Sequence, residues 1–521
     1  MESLKDDLAG PGTEVLETHI SWVFLTEHDV WKVKKPVSLP FLDFSSEDKR
    51  RVACEAEVRL NRPWAPNAYH GVVPITLDSA GRHHFGGSGI PVDWAVHMVR
   101  LSDEDRADVR LRDSRLTAAD LGRVAECVAA FHEGARSDEE TARFGALEEI
   151  TRNVRDNFEQ GRGAACDYLG ETETAAIKAG QLGLLSDHSG LFEDRVRAGR
   201  VREGHGDLRL EHVYLDDEGG VRILDCIEFN DRFRFLDVCS DVAFLSMDLA
   251  CSGRGDLAEQ FLAEYAQMSN DYDLYPLVGF YESYRAYVRG MVNAILAEDD
   301  DAPAPIRKRS ADVARRHYLL ALESLPAQNS RGRSAVPPMV LAVGGIVASG
   351  KSTIAARVGS EVLAPVVGSD RTRKSLLGAG PTTSVSSAPW TDAYSADMTE
   401  QVYEEVLRRA RSVLQSRRPV VIDASFRARA HREAVRRLAR DAEVPFLFIE
   451  CRAPVDVCRE RLSQRDQEPS VSDARTAILD DFVAHWEPVD ELELPEHLSL
   501  DTSGSLEVNV EAVRSRLSDA R

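Results

Sequence analysis

Residues 205–228, HGDLRLEHVYLDDEGGVRILDCIE, decide how the first part of this chain is read. Asp207 follows Gly206, which permits a backbone turn that a bulkier residue resists. Two short apolar runs of strand type, 213–215 and 221–224, flank Asp216-Asp217-Glu218-Gly219-Gly220, a hairpin signal. Asp225 stands directly after the second run, and His212 lies between the two carboxylates. Phosphoryl transfer asks for such a set: a base near the acceptor hydroxyl, and ligands for the metal that bridges the ATP phosphates. The competing reading is a hairpin with acidic turns, because Asp favours turns in any protein.

Upstream, residues 14–101 read as a β-rich lobe with one helix. Runs 18–25 and 30–35 are neighbouring strands joined by a turn at Glu27-His28-Asp29. Alternation puts Lys32 and Lys34 of the second strand on one face. A capped helix over 45–61 follows, with Glu57 on the face of Cys54, Leu60 and Asn61, and Glu55 as the alternative inward carboxylate. Run 94–101, which holds Met98, reads as the strand that crosses into a second lobe. Residues 117–200 and 256–325 are helical by period. His132 reads as a packed or surface helical residue, and Asp237 and Asp241 as residues that hold loops. Arg285 and Arg289, on a helix near 281–289, are candidates to face a substrate cleft.

Residues 326–337 form a linker by composition. After it, 340–354 (VLAVGGIVASGKSTI) is an apolar strand, a GxxxxGKS loop and a helix start. Gly345, Ser349 and Gly350 belong to a loop whose backbone N–H groups wrap a β-phosphate. Lys351 neutralises phosphate charge, Ser352 offers its hydroxyl to Mg²⁺, and Thr353 adds a contact to the α-phosphate. Strand 420–423 ends in Asp423, and 446–451 is a further strand of a parallel sheet. Asp370 and Arg373 lie three apart after the P-loop helix, and Arg461 and Arg465 share a helical face.

The first part resembles the aminoglycoside phosphotransferase family, with its protein-kinase-like fold. The resemblance implies Asp207 as base and Asp225 as metal ligand. It puts His212 where a second ligand, normally Asn, would stand, and imidazole suits Mg²⁺ less well than an amide oxygen. It favours Lys32 over Lys34 at the ATP phosphates, pairs that lysine with Glu57, and places adenine beside the strand of Met98. The second part resembles P-loop kinases of the polynucleotide kinase and zeta-toxin type. That implies Asp370 as base, Arg373 as its partner, Arg461 and Arg465 as a lid, and Ser352 and Asp423 at the metal.

The expected fold is therefore an α+β bilobal kinase-like domain over 1–325 (lobes 14–97 and 98–325), the 326–337 linker, and an α/β P-loop parallel-sheet domain over 338–521. The expected function is a tandem phosphotransferase using ATP, or alternatively GTP, with Mg²⁺ or Mn²⁺. Its acceptors would be a small-molecule hydroxyl for the first domain, and a small molecule or nucleic-acid 5′-hydroxyl for the second. A small-molecule kinase regulated by a C-terminal ATPase switch, and a nucleotide-regulated scaffold without transfer activity, are the alternatives.

Composition bounds these readings. A chain of 521 residues with 43% hydrophobic and 29% charged residues is an ordinary globular protein of more than one domain. Net charge is −23, which speaks against nonspecific nucleic-acid binding. By count about −4 falls on 336–521 and about −19 on the rest, with a basic stretch from Arg408 to Arg440 that could serve an anionic substrate. Eight scattered cysteines without a CxxC pair, an acidic start and no long apolar run predict a cytoplasmic protein with no disulfide framework and no membrane span.

Overall fold

Residues 2–39, 42–161, 163–300, 302–325, 333–379, 395–465 and 479–519 are described by the structure, a computed structural model. The chain divides into two units: residues 1–249 with 284–315, and residues 250–283 with 316–521.

The first unit begins with an antiparallel sheet of β1 (Glu14–Glu17), β2 (Ser21–Leu25), β3 (Asp29–Lys34), β4 (Tyr69–Leu77), β5 (His83–Phe85) and β6 (Ile90–Val99), in the order β1-β2-β3-β6-β4-β5. Helix α1 (Glu47–Asn61) packs on one face of it. Ser46 caps the helix by accepting the Lys49 N–H, and Glu47 and Asp48 lie in its first turn, where the helix dipole favours acid. Cys54 and Val58 of α1 share an apolar cluster with Val30, Tyr69, Val96 and Met98 of the sheet. The helical part includes α2 (Ala118–Gly134) and, after the hairpin of β8 (Val213–Leu215) and β9 (Val221–Ile223), the almost wholly buried α3 (Val238–Cys251). A second short ladder joins β7 (Val201–Glu203) to β10 (Phe235–Asp237) and brackets the site loops. The 235–251 segment thus starts as a strand and continues as the buried helix.

In the second unit, α4 (Gly255–Ser269) precedes a parallel sheet of β11 (Val340–Gly344), β12 (Val366–Gly368), β13 (Val420–Asp423), β14 (Phe446–Arg452) and β15 (His497–Asp501). Its order is β12-β13-β11-β14-β15, so β11, which feeds the P-loop, is central and fully buried. The crossovers run through α7 (Lys351–Val362), α8 (Ser369–Leu376), α9 (Ala396–Gln415), α10 (Arg429–Asp441) and α11 (Val455–Arg465), and α12 (Leu506–Asp519) closes the unit. Helices α5 (Tyr275–Glu298) and α6 (Ala304–Glu323) each divide between the two units.

This division corrects the boundary expected at 326–337. Residues 250–283 pack with the parallel-sheet unit because polar groups on both sides are paired there. Arg418 makes a buried fork to Glu259 (2.6 and 2.9 Å), Tyr272 donates to the Val366 carbonyl (2.6 Å), and Arg408 meets Asp273 (2.7 Å). Residues 326–332 of the expected linker lie outside the described residues.

Candidate active sites

In the first unit, β3 delivers Lys32 to a pair of carboxylates. Its Nζ lies 2.8 Å from Asp225 Oδ1 and 3.0 Å from Glu57 Oε1 on α1. Lys34, on the same face but fully buried, joins Glu57 to Glu228. Alternation thus placed both lysines correctly, and burial separates their roles: Lys32 keeps some exposure, whereas Lys34 anchors. Glu55 is exposed and pairs with Arg51, so Glu57 is the inward carboxylate. Burial pulls the Lys32 ammonium down, but Asp225, Glu57 and Glu228 together raise it well above its ordinary value. Burial likewise pushes Asp225 up, and Lys32, His212 and Lys34 outweigh it and keep the carboxyl far below its usual range.

Asp225 takes a left-handed backbone conformation (φ 63°), which an L residue adopts at some cost. The next N–H, of Cys226, is held by Asn61 Oδ1 at 2.9 Å, which ties the bend to α1. The Asp207 loop is fixed from below: both oxygens of buried Asp241 accept backbone N–H groups, from His205 (2.6 Å) and Gly206 (2.8 Å). Gly206 has φ 84°, and a Cβ there would meet the Phe233 carbonyl at 2.8 Å. Burial depresses the His205 imidazole to about 4, so it is neutral at physiological pH. Its Nε2–H donates to the Leu224 carbonyl (2.9 Å), and Nδ1 accepts from Asp207 N (3.3 Å).

Asp207 itself is gripped by Arg209 through two bonds, 2.9 and 3.0 Å. Burial works to raise this carboxyl, but Arg209, His212 and Arg289 together hold it far below its ordinary value. His212 lies between the Asp207 backbone and Arg209. Its Nδ1 donates to the Asp207 backbone carbonyl (2.8 Å), and its Nε2 lies 3.4 Å from Arg209 Nη2, so both nitrogens are engaged. Arg209 was missed in the sequence, where it is one charge in a loop. Of the two candidate cleft arginines, Arg285 bonds Ser240 Oγ (3.1 Å) and lies over the Phe244 ring, which is packing. Arg289 makes no side-chain hydrogen bond or ion pair among the described residues, and burial, then Arg209, lowers its pKa. Met98 packs in the core with its side chain buried. Asp237 pairs with Arg195 (2.6–3.2 Å), and His132 lies 3.4 Å from Asp241, as loop-holding and packed residues should.

In the second unit, the loop between β11 and α7 has left-handed or glycine-only backbone at Gly345 (φ 154°), Ala348 (φ 60°) and Gly350 (φ 84°). No side chain caps α7. Lys351 makes no side-chain hydrogen bond or ion pair among the described residues, and the buried Ser349 hydroxyl has no protein partner. An uncapped helix start, an unpaired cation and an orphan hydroxyl fit a phosphate group. Ser352 and Thr353 are exposed on the first turn, and Asp423 ends β13 beside Val343 of β11. Asp423 and Ser352 are oxygen donors that suit Mg²⁺. Arg461 reaches the loop by donating to the Ala348 (3.3 Å) and Thr502 (2.7 Å) carbonyls. Thr502, on the segment after β15, also donates to the Arg452 carbonyl (2.9 Å) and was not foreseen. The side chain of Arg465 lies outside the described residues. Asp370 lies in the first turn of α8, whose N-cap is Gly368, and Arg373 follows one turn later, buried.

Several arginines of the basic stretch 408–440 are paired, while Arg411, Arg417 and Arg437 are exposed. Arg409 pairs with Glu405, Arg418 with Glu259, Arg429 with Asp490, Arg432 with Glu491 and Arg436 with Glu496. All eight cysteines are free thiols. Among the described residues no helix is long and apolar enough to cross a membrane.

Residues 340–489 match the family described as an AAA domain, so the C-terminal part is a P-loop domain of that type. An uncharacterized protein of Mycobacterium tuberculosis (strain ATCC 25618 / H37Rv) is 33% identical over 455 residues, covering 87% of this chain and 86% of its own length. A Mycobacterium bovis protein (strain ATCC BAA-935 / AF2122/97) matches to the same extent, and the chain belongs to one family with these two. Among solved structures, a gluconokinase from Sinorhizobium meliloti 1021 is 19% identical, covering 35% of this chain and 93% of its own, with a TM-score of 0.26. A choline/ethanolamine kinase family protein from Mesorhizobium loti is 13% identical, covering 60% and 92%, with a TM-score of 0.33. A Mycobacterium tuberculosis APS kinase in complex with AMPPNP and APS is 20% identical, covering 35% and 99%, with a TM-score of 0.26.

Proposed function

We propose that this chain is a tandem ATP-dependent phosphotransferase, with one kinase site in each unit and a hydroxyl acceptor at each. The observation that carries the first site is Lys32 held between Glu57 and Asp225, because a strand lysine fixed by a helical glutamate is the arrangement that presents an ammonium to ATP phosphates. Asp225 would hold Mg²⁺, which neutralises charge developing on the transferred group. Asp207, ionised and with its loop pinned by Asp241, orients the acceptor hydroxyl and takes up its proton as the new P–O bond forms and the bond from the γ-phosphoryl group to the ADP leaving group breaks. His212, engaged at both nitrogens, acts in this reading as the strut between Asp207 and Arg209.

The acceptor hydroxyl has to compete with Arg209 for the Asp207 carboxylate. An acceptor bearing a phosphate or carboxylate would supply Arg209 with a substitute partner and Arg289 with a hydrogen-bonding anion. Arg289→Met should then raise the KM for such an acceptor and leave acceptor-independent ATP turnover unchanged; an unchanged KM removes this refinement. In the second unit, Lys351 and the loop N–H groups would hold the β- and γ-phosphates, Ser352 and Asp423 the Mg²⁺, and Asp370 with Arg373 the acceptor. A C-terminal ATPase switch uses the same loop but needs no Asp370.

The test is ADP release by the full chain, measured with and without hydroxyl acceptors drawn from neutral, cationic and anionic classes. Acceptor-stimulated release supports kinase chemistry. Release that no acceptor stimulates supports the switch, and no nucleotide binding at either site leaves the scaffold.

A further inference from the structure

On the sheet face opposite Lys32, three side chains from three adjacent strands come together: Asp29 on β3, His97 on β6 and His70 on β4. The register explains why. Trp31 pairs with His97 and Lys32 with Val96, so alternation sends Asp29 and Trp31 to the His97 face and Lys32 to the other. On β4 the register shifts between Tyr69 and Gly71, with Tyr69 buried in the core and His70 exposed on the opposite side. One carboxylate oxygen and two ring nitrogens from these residues all lie within 4.8 Å of one another. Asp29 Oδ1 is 2.7 Å from His97 Nε2, and the His70 and His97 rings are 4.5 Å apart between centroids. The Trp31 indole lies flat on His97 at 3.7 Å and on Phe85 at 4.5 Å, which fixes the plane of the His97 ring.

We propose that Asp29, His70 and His97 form a binding site for a divalent transition-metal ion of the zinc class, separate from either nucleotide site. Two imidazoles and one carboxylate select Zn²⁺, Co²⁺, Ni²⁺ or Cu²⁺ over Mg²⁺ and Ca²⁺, which prefer all-oxygen sites. With metal–ligand bonds of about 2.0–2.1 Å, tetrahedral donors lie about 3.3 Å apart. To reach it, the Asp29–His97 pair at 2.7 Å would open slightly and His70 would move in by side-chain rotation, the three strands being neighbours already. Three protein ligands leave a coordination position for water or an outside ligand. A plain Asp29–His97 surface pair accounts for one of the contacts but not for His70 beside it or for the indole that braces the ring.

The test uses the full chain stripped with EDTA and titrated with Co²⁺, then with Zn²⁺ as competitor. Co²⁺ should develop a visible absorption band that Zn²⁺ abolishes, and Cu²⁺ should quench Trp31 fluorescence through the stacked His97. His70→Ala and the near-isosteric Asp29→Asn should each lower affinity at least about tenfold, the cost even of losing an outer-shell partner. His212→Asn, which alters the Asp207 loop, should leave this ion in place, so the nucleotide site is excluded as its source. Zn²⁺ should raise the melting temperature of the parent and of His212→Asn but not of Asp29→Asn. Wild-type Co²⁺ affinity in both His70→Ala and Asp29→Asn would overturn the site, as would loss of the band only in His212→Asn. Circular dichroism of the Asp29→Asn protein separates loss of the ligand from loss of the fold.

Discussion

Glu57→Gln tests the anchor of the first site. The carboxylate is fully buried and meets two ammonium groups, Lys32 at 3.0 Å and Lys34. Glutamine keeps its shape and removes its charge. Breaking a buried ion pair by neutralising one partner costs about 3–5 kcal/mol. Here Lys34 retains Glu228 and Lys32 retains Asp225, so the lower end, about 3 kcal/mol, is expected. Lys32 would then be drawn towards Asp225 alone, and ATP binding in the first unit should weaken while the second is unaffected. Burial raises the Glu57 carboxyl but Lys32 and Lys34 outweigh it and lower its pKa, so its stabilisation is present above the unfolded value and fades as pH falls below it. Urea unfolding followed by tryptophan fluorescence reads the change, because Trp22, Trp31, Trp64 and Trp94 all lie in the first unit. Glu55→Gln, at an exposed pair, is the control and should change stability by less than about 0.5 kcal/mol. Equal stability and equal ATP affinity in Glu57→Gln and Glu55→Gln would show that Glu57 does not anchor Lys32.

Three further outcomes are expected. His205 is neutral when folded, with its pKa lowered to about 4 by burial, so the unfolded chain takes up a proton first as pH falls; stability should drop by about 3 kcal/mol between pH 6.5 and 4, and His205→Gln should flatten that slope in denaturation curves measured across this range. Expression of 338–521 alone should yield an unstable fragment, because it removes Glu259 and uncovers the surface around Arg418 that residues 250–283 bury, whereas 250–521 should retain a cooperative melt; a stable 338–521 fragment would contradict the division. Asp370→Ala should depress acceptor phosphorylation by the second unit about 10²–10⁴-fold while its background hydrolysis, measured as ADP release without acceptor, stays near the parent rate.

The P-loop was legible because its chemistry is local: strand, glycines, lysine and helix are contiguous in 340–354. The shared face of Lys32 and Lys34 and the inward side of Glu57 were legible through the two periodicities, while the choice of Lys32 over Lys34 came from the family resemblance. Arg209, Asn61 and Thr502 were not legible, because each acts through a pairing across many residues or a loop geometry that has no sequence period. The same limit hid the division of the chain: composition marks 326–337 as a linker, but Glu259 and Arg418 lie 159 residues apart and only folding pairs them. The pairing inside the basic stretch was hidden for a related reason, since the carboxylates that meet Arg429, Arg432 and Arg436 lie about sixty residues downstream.

Transfer of label from γ-labelled ATP tests whether two separate sites transfer phosphoryl groups, as proposed. Parent, Asp207→Asn, Lys351→Ala and the double variant are incubated with the same acceptor mixture, and labelled products are separated. With two sites, Asp207→Asn should remove one set of labelled products, Lys351→Ala a different set, and the double variant all of them. Loss of every product in either single variant, or full labelling in the double variant, would contradict it.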